Sequence, residues 1–554
     1  MEFSTLNGYK VKDKKAIRYY DTVADMKADT TLKSGMHVRT KGYYSANDGG
    51  SSLYEIIGIQ PINNFYEELN NELYAQLIPD EYVNSRQIGL KGDETDETTL
   101  LQLLLNTYPK VILKSGNYLI TSSLTITTTK EILGEIGAVI NASDSSDGLT
   151  QILVVNNNSN VIIKNIKING TMTGTGTFTG LRTNNSTKCY YENIEITGTS
   201  MGFYTTQSED VTFNNCYIHD TKKDGCTITD SSSNVTIENC TAKNTGDDSF
   251  AVVSYNTDTK ATSNVKMINN TAIDCKKRSY LVDGGENIII SNNYALNGKN
   301  NLIAIIGNSS TWNTKPTKNI IVDSNVCELT NADNLDDDIF VSLFGIQGAS
   351  YVTFTNNRFD ASSVVSTITR HNDNLMYQTD NVIIKNNYID GAGVRFRQTT
   401  NLELVGNVIK HAWTHAIYVL SVNNMRIENN ECYDYNVRNT TTFIYGIYCW
   451  TETVNNETVR PNTLRIINNY LKTTNNHTNV DTLLAYVDNA YIEQDPQSPI
   501  NVDNSTNVSF GSLLITDLAD ATLNNILTNG TIYSDANGTL KVKTSTGIKT
   551  ISIT

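Results

Sequence analysis

A chain of 554 residues is far beyond the size at which one compact core stops growing, so a long repetitive body with appended modules fits better than a single globule. Hydrophobic residues make up 39% and charged residues only 18%, with 34 Gly and 7 Pro, which excludes a disordered chain and suits a polar-faced β-architecture. The formal net charge of −15 excludes general binding to nucleic acid or anionic membrane, while leaving room for a local cationic cleft that holds an acidic glycan.

Residues 1–80 read as a small separate module. Val23, Met26 and Ala28 have helical spacing behind an Asp21 or Thr22 cap. The strand-like His37-Val38-Arg39-Thr40 follows, then a turn-rich stretch through Asp48-Gly49-Gly50, then Leu53-Tyr54-Glu55-Ile56-Ile57. Residues 81–127 read as a lead-in, in which Thr95 or Asp96 caps a helix carrying Leu100, Leu101, Leu104 and Leu105. Such a helix would cover the open end of a β-stack. The N-terminus Met1-Glu2-Phe3-Ser4 lacks a basic region followed by an apolar one, and no run of about 18 apolar residues occurs. Neither a secretion signal nor membrane insertion is expected.

Residues 128–501 repeat one short pattern: Asn160-Val161-Ile162-Ile163-Lys164-Asn165 returns, reworded, in copies such as Asn234-Val235-Thr236-Ile237-Glu238-Asn239 and Asn381-Val382-Ile383-Ile384-Lys385-Asn386. The apolar anchor falls at Val161, Cys189, Val211, Val235, Val265, Ile288, Ile320, Val352, Val382, Leu402, Met425 and Leu464, in steps of 20 to 39 residues. Periods of this size mean stacked repeats. The period-two alternation within each copy means strands rather than helices, and Val, Ile, Thr, Asn and Gly replace the leucine pattern of a horseshoe solenoid. The fold expected is all-β: a right-handed, single-stranded parallel β-helix. A polar pair closes each copy, among them Asn269-Asn270, Asn292-Asn293, Asn356-Asn357 and Asn429-Asn430. Equivalent residues in neighbouring coils lie about 4.7–4.9 Å apart, so these amides can bond to one another in a structural ladder. Cys216 and Cys240 take the same position, and the eight cysteines, with no Cys-x-x-Cys, read as buried free thiols rather than disulfides or zinc ligands. Residues 502–554 read as a small C-terminal β-module, with a hairpin around Ala536-Asn537-Gly538 and a further strand at Thr550-Ile551-Ser552-Ile553.

Gly92-Asp93-Glu94-Thr95-Asp96-Glu97-Thr98, the Leu-rich helix after it and Gly116-Asn117-Tyr118 resemble the N-terminal signature of phage tailspike and preneck-appendage proteins of the pectate-lyase superfamily. Arg39-Thr40-Lys41-Gly42-Tyr43-Tyr44-Ser45 with Asp48-Gly49-Gly50 is similar to their virion-docking segment. The resemblance spans roughly residues 20–500. It implies a virion appendage, made in a host cytoplasm, that recognises and degrades host surface polysaccharide, capsule or teichoic acid. It also implies homotrimerisation and docking to virion tail or neck proteins through residues 1–80. Because the superfamily includes lyases, hydrolases and inactive binders, a non-catalytic glycan-binding adhesin and a secreted pectate-lyase-like enzyme stay open as alternatives.

Aligning coils on their anchors makes Asp224-Gly225-Cys226-Thr227-Ile228, Asp247-Asp248-Ser249-Phe250-Ala251-Val252 and Arg278-Ser279-Tyr280-Leu281-Val282 successive copies of one strand. Asp224, Asp248 and Arg278 then share a column. Carboxyls in adjacent coils would be roughly 5 Å apart, the separation at which one raises the other's pKa and retaining glycosidases operate. Asp247 would face away from Asp248 if the strand has begun, leaving one of the two in the pair. The segment Asn244-Thr245-Gly246-Asp247-Asp248-Ser249-Phe250 resembles the Gly-Asp-Asp segment of polygalacturonase-type hydrolases, whose Gly-His-Gly and Arg-Ile-Lys motifs have no counterpart, so that inverting mechanism is not carried over. The column has a structural reading as well, in which the acids cap turns and Arg278 neutralises them. Candidate substrate contacts are Arg278, His219, Lys222 (with Lys223 beside it), the cationic group Arg370, His371, Arg395 and Arg397, and the aromatic Trp413 between His411 and His415. Glycoside hydrolysis is preferred over elimination, with no cofactor and no metal in the chemistry. Asp283, Glu286 and Asp336 to Asp338 are the residues that could take calcium.

Overall fold

The computed structural model describes residues 4–6, 9–11, 17–70, 72–142, 150–170, 178–330, 342–362, 374–437, 445–454, 457–473, 482–485, 487–493, 500–503, 506–510, 532–534, 540–544 and 547–550. They fall into two compact units, residues 1–222 and 223–554.

In the first unit, the expected capped helix is Val23–Ala28, with Thr22 and Asp25 forming a capping box and Val23 and Met26 buried. It accompanies a five-stranded sheet in the order Arg18–Tyr20, His37–Thr40, Ser52–Ile57, Tyr74–Ile78 and Tyr66–Glu68. The turn-rich stretch is organised by one carboxylate: Asp48 accepts backbone N–H bonds from Tyr43, Tyr44, Ser45 and Gly50. The Tyr44 hydroxyl then donates to the Gly89 carbonyl at 2.7 Å, tying this turn to the lead-in.

The lead-in helix is Thr98–Thr107, with Leu101, Leu104 and Leu105 buried. Its N-cap is Glu97, one residue later than expected. Asp96 still serves the helix, accepting from the Thr98 backbone N–H at 3.0 Å, while Glu97 turns back to the Gly92 N–H. The Gln102 amide donates to the Thr125 carbonyl and accepts from the Thr125 N–H, both at 2.8 Å. Thr125 sits in the strand Leu124–Ile126, whose edge is thereby satisfied by a side chain imitating a neighbouring strand.

Within each unit the coils carry up to three strands that pair in parallel with the next coil. One sheet holds the anchor residues, a second holds the short strands that follow the Asn corner, and a third precedes the anchors. Anchor meets anchor as the repeat requires: Val161 faces Cys189 and Cys189 faces Val211 in the first unit. In the second, Val235 faces Val265, and Ile288, Ile320, Val352, Val382, Leu402, Met425 and Leu464 face one another in turn. The ladder extends past both ends of the repeat, pairing Lys110–Leu113 with Glu131–Gly134, and Asp488–Glu493 with Thr506–Phe510. All eight cysteines are buried and unbridged. At the C-terminal end Ile532–Ser534, Leu540–Thr544 and Gly547–Thr550 form an antiparallel sheet, so the last strand lies earlier than expected, and residues 551–553 lie outside the described residues.

The Asn pairs behave as a structural ladder. The first member of each takes the left-handed conformation, as at Asn269, Asn356 and Asn429 with φ of 56°, 55° and 54°. The second is buried, and its amide nitrogen donates to the next coil's amide oxygen: Asn293 to Asn325 at 2.9 Å, Asn325 to Asn357 at 2.8 Å, Asn357 to Asn387 at 2.9 Å, Asn387 to Asn407 at 3.0 Å, Asn407 to Asn430 at 2.9 Å and Asn430 to Asn469 at 2.8 Å. A second column, at Asn234, Asn264, Asn287 and Asn319, is also left-handed but exposed, with its own amide ladder along the start of the anchor strands. Asn357→Ala strands the Asn325 N–H and amide, both of which bond to Asn357 Oδ1. It should destabilise the second unit by about 2–4 kcal/mol, measured by urea denaturation, whereas an exposed ladder residue such as Asn319→Gly should cost less than about 1 kcal/mol.

Candidate functional site

The strands Cys226–Thr229, Phe250–Val253 and Tyr280–Asp283 are consecutive in the third sheet, with Cys226 opposite Phe250 and Phe250 opposite Tyr280. Two residues upstream in each, the register brings Asp224, Asp248 and Arg278 into one column, as the coil alignment requires. The acids support the corner. Asp224 accepts from the Asp248 N–H at 3.2 Å and from the Thr227 hydroxyl at 2.7 Å, while Asp248 accepts from the Arg278 N–H at 2.9 Å and meets the Arg278 guanidinium at 3.3 Å.

Asp247 departs from the alternation expected of it. The strand begins only at Phe250, so residues 246–248 are corner rather than strand, and Asp247 does not turn to the opposite face. Carboxylate oxygens of Asp224, Asp247 and Asp248 all lie within 4.8 Å of one another. Asp248 is 4% exposed and Asp247 half-buried. Among the described residues the Asp247 side chain makes no hydrogen bond or ion pair.

Burial is the main cause that pushes the Asp224 and Asp248 carboxyls well above the ordinary aspartate range, and neighbouring negative charge adds to it. Arg278 works against both shifts. Asp224 and Asp248 therefore hold a proton more tightly than isolated aspartates, which suits proton delivery. Beside the column, Ala251, Leu281 and Ala304 form a buried apolar cluster on the same sheet, with Val253 and Ile306 packed against it. That floor keeps the local dielectric low and strengthens the charges next to it.

The other sequence candidates scatter. His219 and Lys222 belong to the first unit, where His219 sits between Asp220 at 2.6 Å and Glu195 at 3.2 Å, and Lys222 is exposed. Arg370 and His371 lie outside the described residues, as do Asp336 to Asp338. Arg397 is not an available cation: its Nε donates to Glu452 at 2.8 Å, from the antiparallel excursion Glu452–Val454 and Glu457–Val459. Arg395 lies over the Tyr418 ring instead. Trp413 is half-buried, His411 pairs with Asp390 at 2.6 Å, and His415 is buried. Asp283 accepts from Thr314 at 2.5 Å and Glu286 pairs with Lys318, so these two acids are engaged separately rather than as a calcium pair. A set of rings that sequence reasoning passed over, Tyr418, Tyr445 and Tyr448, lies around His415, with Trp450 stacked on Tyr448.

Residues 151–326 match the family described as right handed beta helix region, in agreement with the fold. No curated protein matches the chain. Similar solved structures include the A-module of an Azotobacter vinelandii mannuronan C-5 epimerase, at 15% identity and TM-score 0.42, covering 78% of this chain and 99% of that one. A tailspike protein of Acinetobacter baumannii bacteriophage Fri1, a capsular polysaccharide depolymerase, is 13% identical with TM-score 0.44, covering 75% of each chain. The Streptococcus pneumoniae surface protein and adhesin PfbA is 15% identical with TM-score 0.48, covering 64% of this chain and 98% of that one.

The raised carboxyls carry a stability consequence. A folded chain that binds protons on Asp224 and Asp248 more tightly than the unfolded chain gains stability at acid pH and loses it as pH climbs from the ordinary aspartate range through the raised one. Asp248→Asn removes one buried charge, so its melting temperature should exceed that of the parent chain by about 2–4 °C near pH 8, with the gap closing toward pH 4. Equal melting curves at the higher pH would mean that the cluster is not under electrostatic strain.

Proposed function

We propose that the chain is a glycan-cleaving hydrolase whose active centre is the Asp224, Asp247 and Asp248 cluster. The observation that supports this reading is the convergence of three carboxyls within 4.8 Å, two with raised affinity for a proton and the third half-exposed and unengaged among the described residues. At that separation the like charges cannot all persist, so the Asp224–Asp248 pair retains a proton under conditions where isolated aspartates have lost theirs. That proton is available to the glycosidic oxygen as its bond to the anomeric carbon breaks. Asp247 is placed to act on the anomeric side, as nucleophile or as the base that activates water. Arg278 offsets the negative charge that grows when the acid has given up its proton.

The reading extends to a virion appendage acting on host surface polysaccharide. Its support is the motif resemblance of the N-terminal module and lead-in, and attachment to tail or neck proteins through residues 1–80 and homotrimer assembly belong to the same proposal. A second reading, a non-catalytic adhesin, draws on the backbone bonds that Asp224 and Asp248 make, which a purely structural corner would also need.

Asp247 separates the two readings because its carboxylate carries no such bond. With surface polysaccharides purified from candidate host bacteria, the hydrolase reading expects new reducing ends and a loss of about 10²–10⁴-fold in turnover for Asp247→Asn at an unchanged melting temperature. Full activity in that variant would remove Asp247 from the mechanism. Binding without new reducing ends across hosts would leave the adhesin.

A further inference from the structure

In the third sheet of the second unit, Val394–Arg397, Ile417–Leu420 and Ile447–Trp450 are adjacent strands, with Arg395 opposite Tyr418 and Tyr418 opposite Tyr448. Their alternate residues Phe396, Val419 and Cys449 fill the interior, so Arg395, Tyr418, Tyr448 and Trp450 face outward. The outward side chains form a continuous row of contacts, tilted between Tyr418 and Tyr448 and stacked between Tyr448 and Trp450. The Arg395 guanidinium lies 4.8 Å from the Tyr418 ring centre, Tyr418 is 5.1 Å from Tyr448, and Tyr448 is 5.7 Å from Trp450 with their planes 18° apart. Tyr445 lies 5.3 Å from Tyr448 and nearly parallel to it, at 5°. His415 stacks on Tyr448 at 4.4 Å and also meets Tyr445 at 6.0 Å, and burial pushes its imidazole down to about 4, so it joins as a neutral ring.

Among the described residues no carboxylate compensates the charge beside this stack. Arg397 is neutralised by Glu452, but Arg395 has no ion pair among the described residues, and its buried Nε has no hydrogen-bond partner. In a chain of net charge −15, a cation without a carboxylate among the described residues, next to partly exposed rings, suits a ligand that brings both an anion and an apolar face. A uronic acid pyranose has both, since its C–H face packs on aromatic carbon and its carboxylate suits a guanidinium fork. A glycerol-phosphate chain would satisfy the cation but offers no ring to the stack.

We infer that Arg395, Tyr418, Tyr448 and Trp450 form a binding platform for an acidic polysaccharide, separate from the carboxylate cluster. The inference rests on the glycan reading above and adds the substrate class. From Phe250 to Ile417 the third sheet advances by six pairings, at Tyr280, Ile303, Phe344, Asn374, Val394 and Ile417. At about 4.8 Å per coil this separates platform and cluster by roughly 29 Å, so only a polymer can occupy both. The platform therefore anchors a chain several sugars away from the bond that is cut.

The test is affinity electrophoresis of the full chain in gels containing polygalacturonate, dextran or poly(glycerol phosphate). Polygalacturonate should retard the protein, and Tyr448→Ala and Arg395→Gln should each weaken that retardation by about tenfold. Arg395→Gln keeps a stem against Tyr418, so with an unchanged melting temperature its loss is not a folding defect. Dextran and poly(glycerol phosphate) should leave mobility unchanged. No retardation by polygalacturonate, equal retardation by all three polymers, or retardation untouched in both variants overturns the platform. Asp247→Asn should be retarded like the parent chain, so lost cleavage with retained retardation tells against neither proposal. A cleaving protein indifferent to polygalacturonate refutes the platform alone, and a retarded protein that cleaves nothing refutes the hydrolase alone.

Discussion

Each coil has to reverse direction at its corners while burying an interior, and the backbone polar groups at those corners must find partners without water. Asparagine meets this requirement twice over. It tolerates the left-handed conformation at the first corner position, and at the second its amide bonds both to the backbone and to the same residue one coil away. The amide oxygen of Asn357 accepts from both the backbone and the side chain of Asn325, so each coil is registered on its neighbour by side chains as well as by strands. Valine and isoleucine inside the coils supply burial; the ladder sets where each coil turns.

The carboxylate cluster uses the same device with a different residue. At the corner before the third sheet, Asp248 offers an oxygen to the backbone of the coil carrying Arg278, and Asp224 offers one to the backbone of Asp248. An amide there would be inert. A carboxylate there is a buried charge beside another, and its proton affinity rises. A corner requirement thus places ionisable groups at coil spacing, with the Arg278 guanidinium against Asp248 and the Asp247 carboxylate beside both acids.

The coil spacing was legible because anchors recur with a fixed partner. Val352, Val382, Leu402 and Met425 pair in the order the repeat gives, and the Asp224, Asp248 and Arg278 column follows from that register. Two features were hidden by local geometry. Asp247 looked like a strand residue facing away, but the strand starts two residues after Asp248, so alternation does not govern it. The column at Asn234, Asn264 and Asn287 reads as ordinary alternation, although its left-handed backbone makes it a second ladder. The rings Tyr418, Tyr448 and Trp450 were missed for a different reason. Coil lengths vary, and the neighbours Arg395, Tyr418 and Tyr448 stand 23 and 30 residues apart, so no local motif announces them.

The most direct measurement of the central claim is digestion of a purified host surface polysaccharide in water enriched in oxygen-18, followed by mass spectrometry of the fragments. Acid–base hydrolysis at Asp224, Asp247 and Asp248 predicts saturated fragments carrying one labelled oxygen at each new reducing end, and none from Asp248→Asn. Unlabelled fragments lighter by one water would contradict it and move the chemistry to elimination.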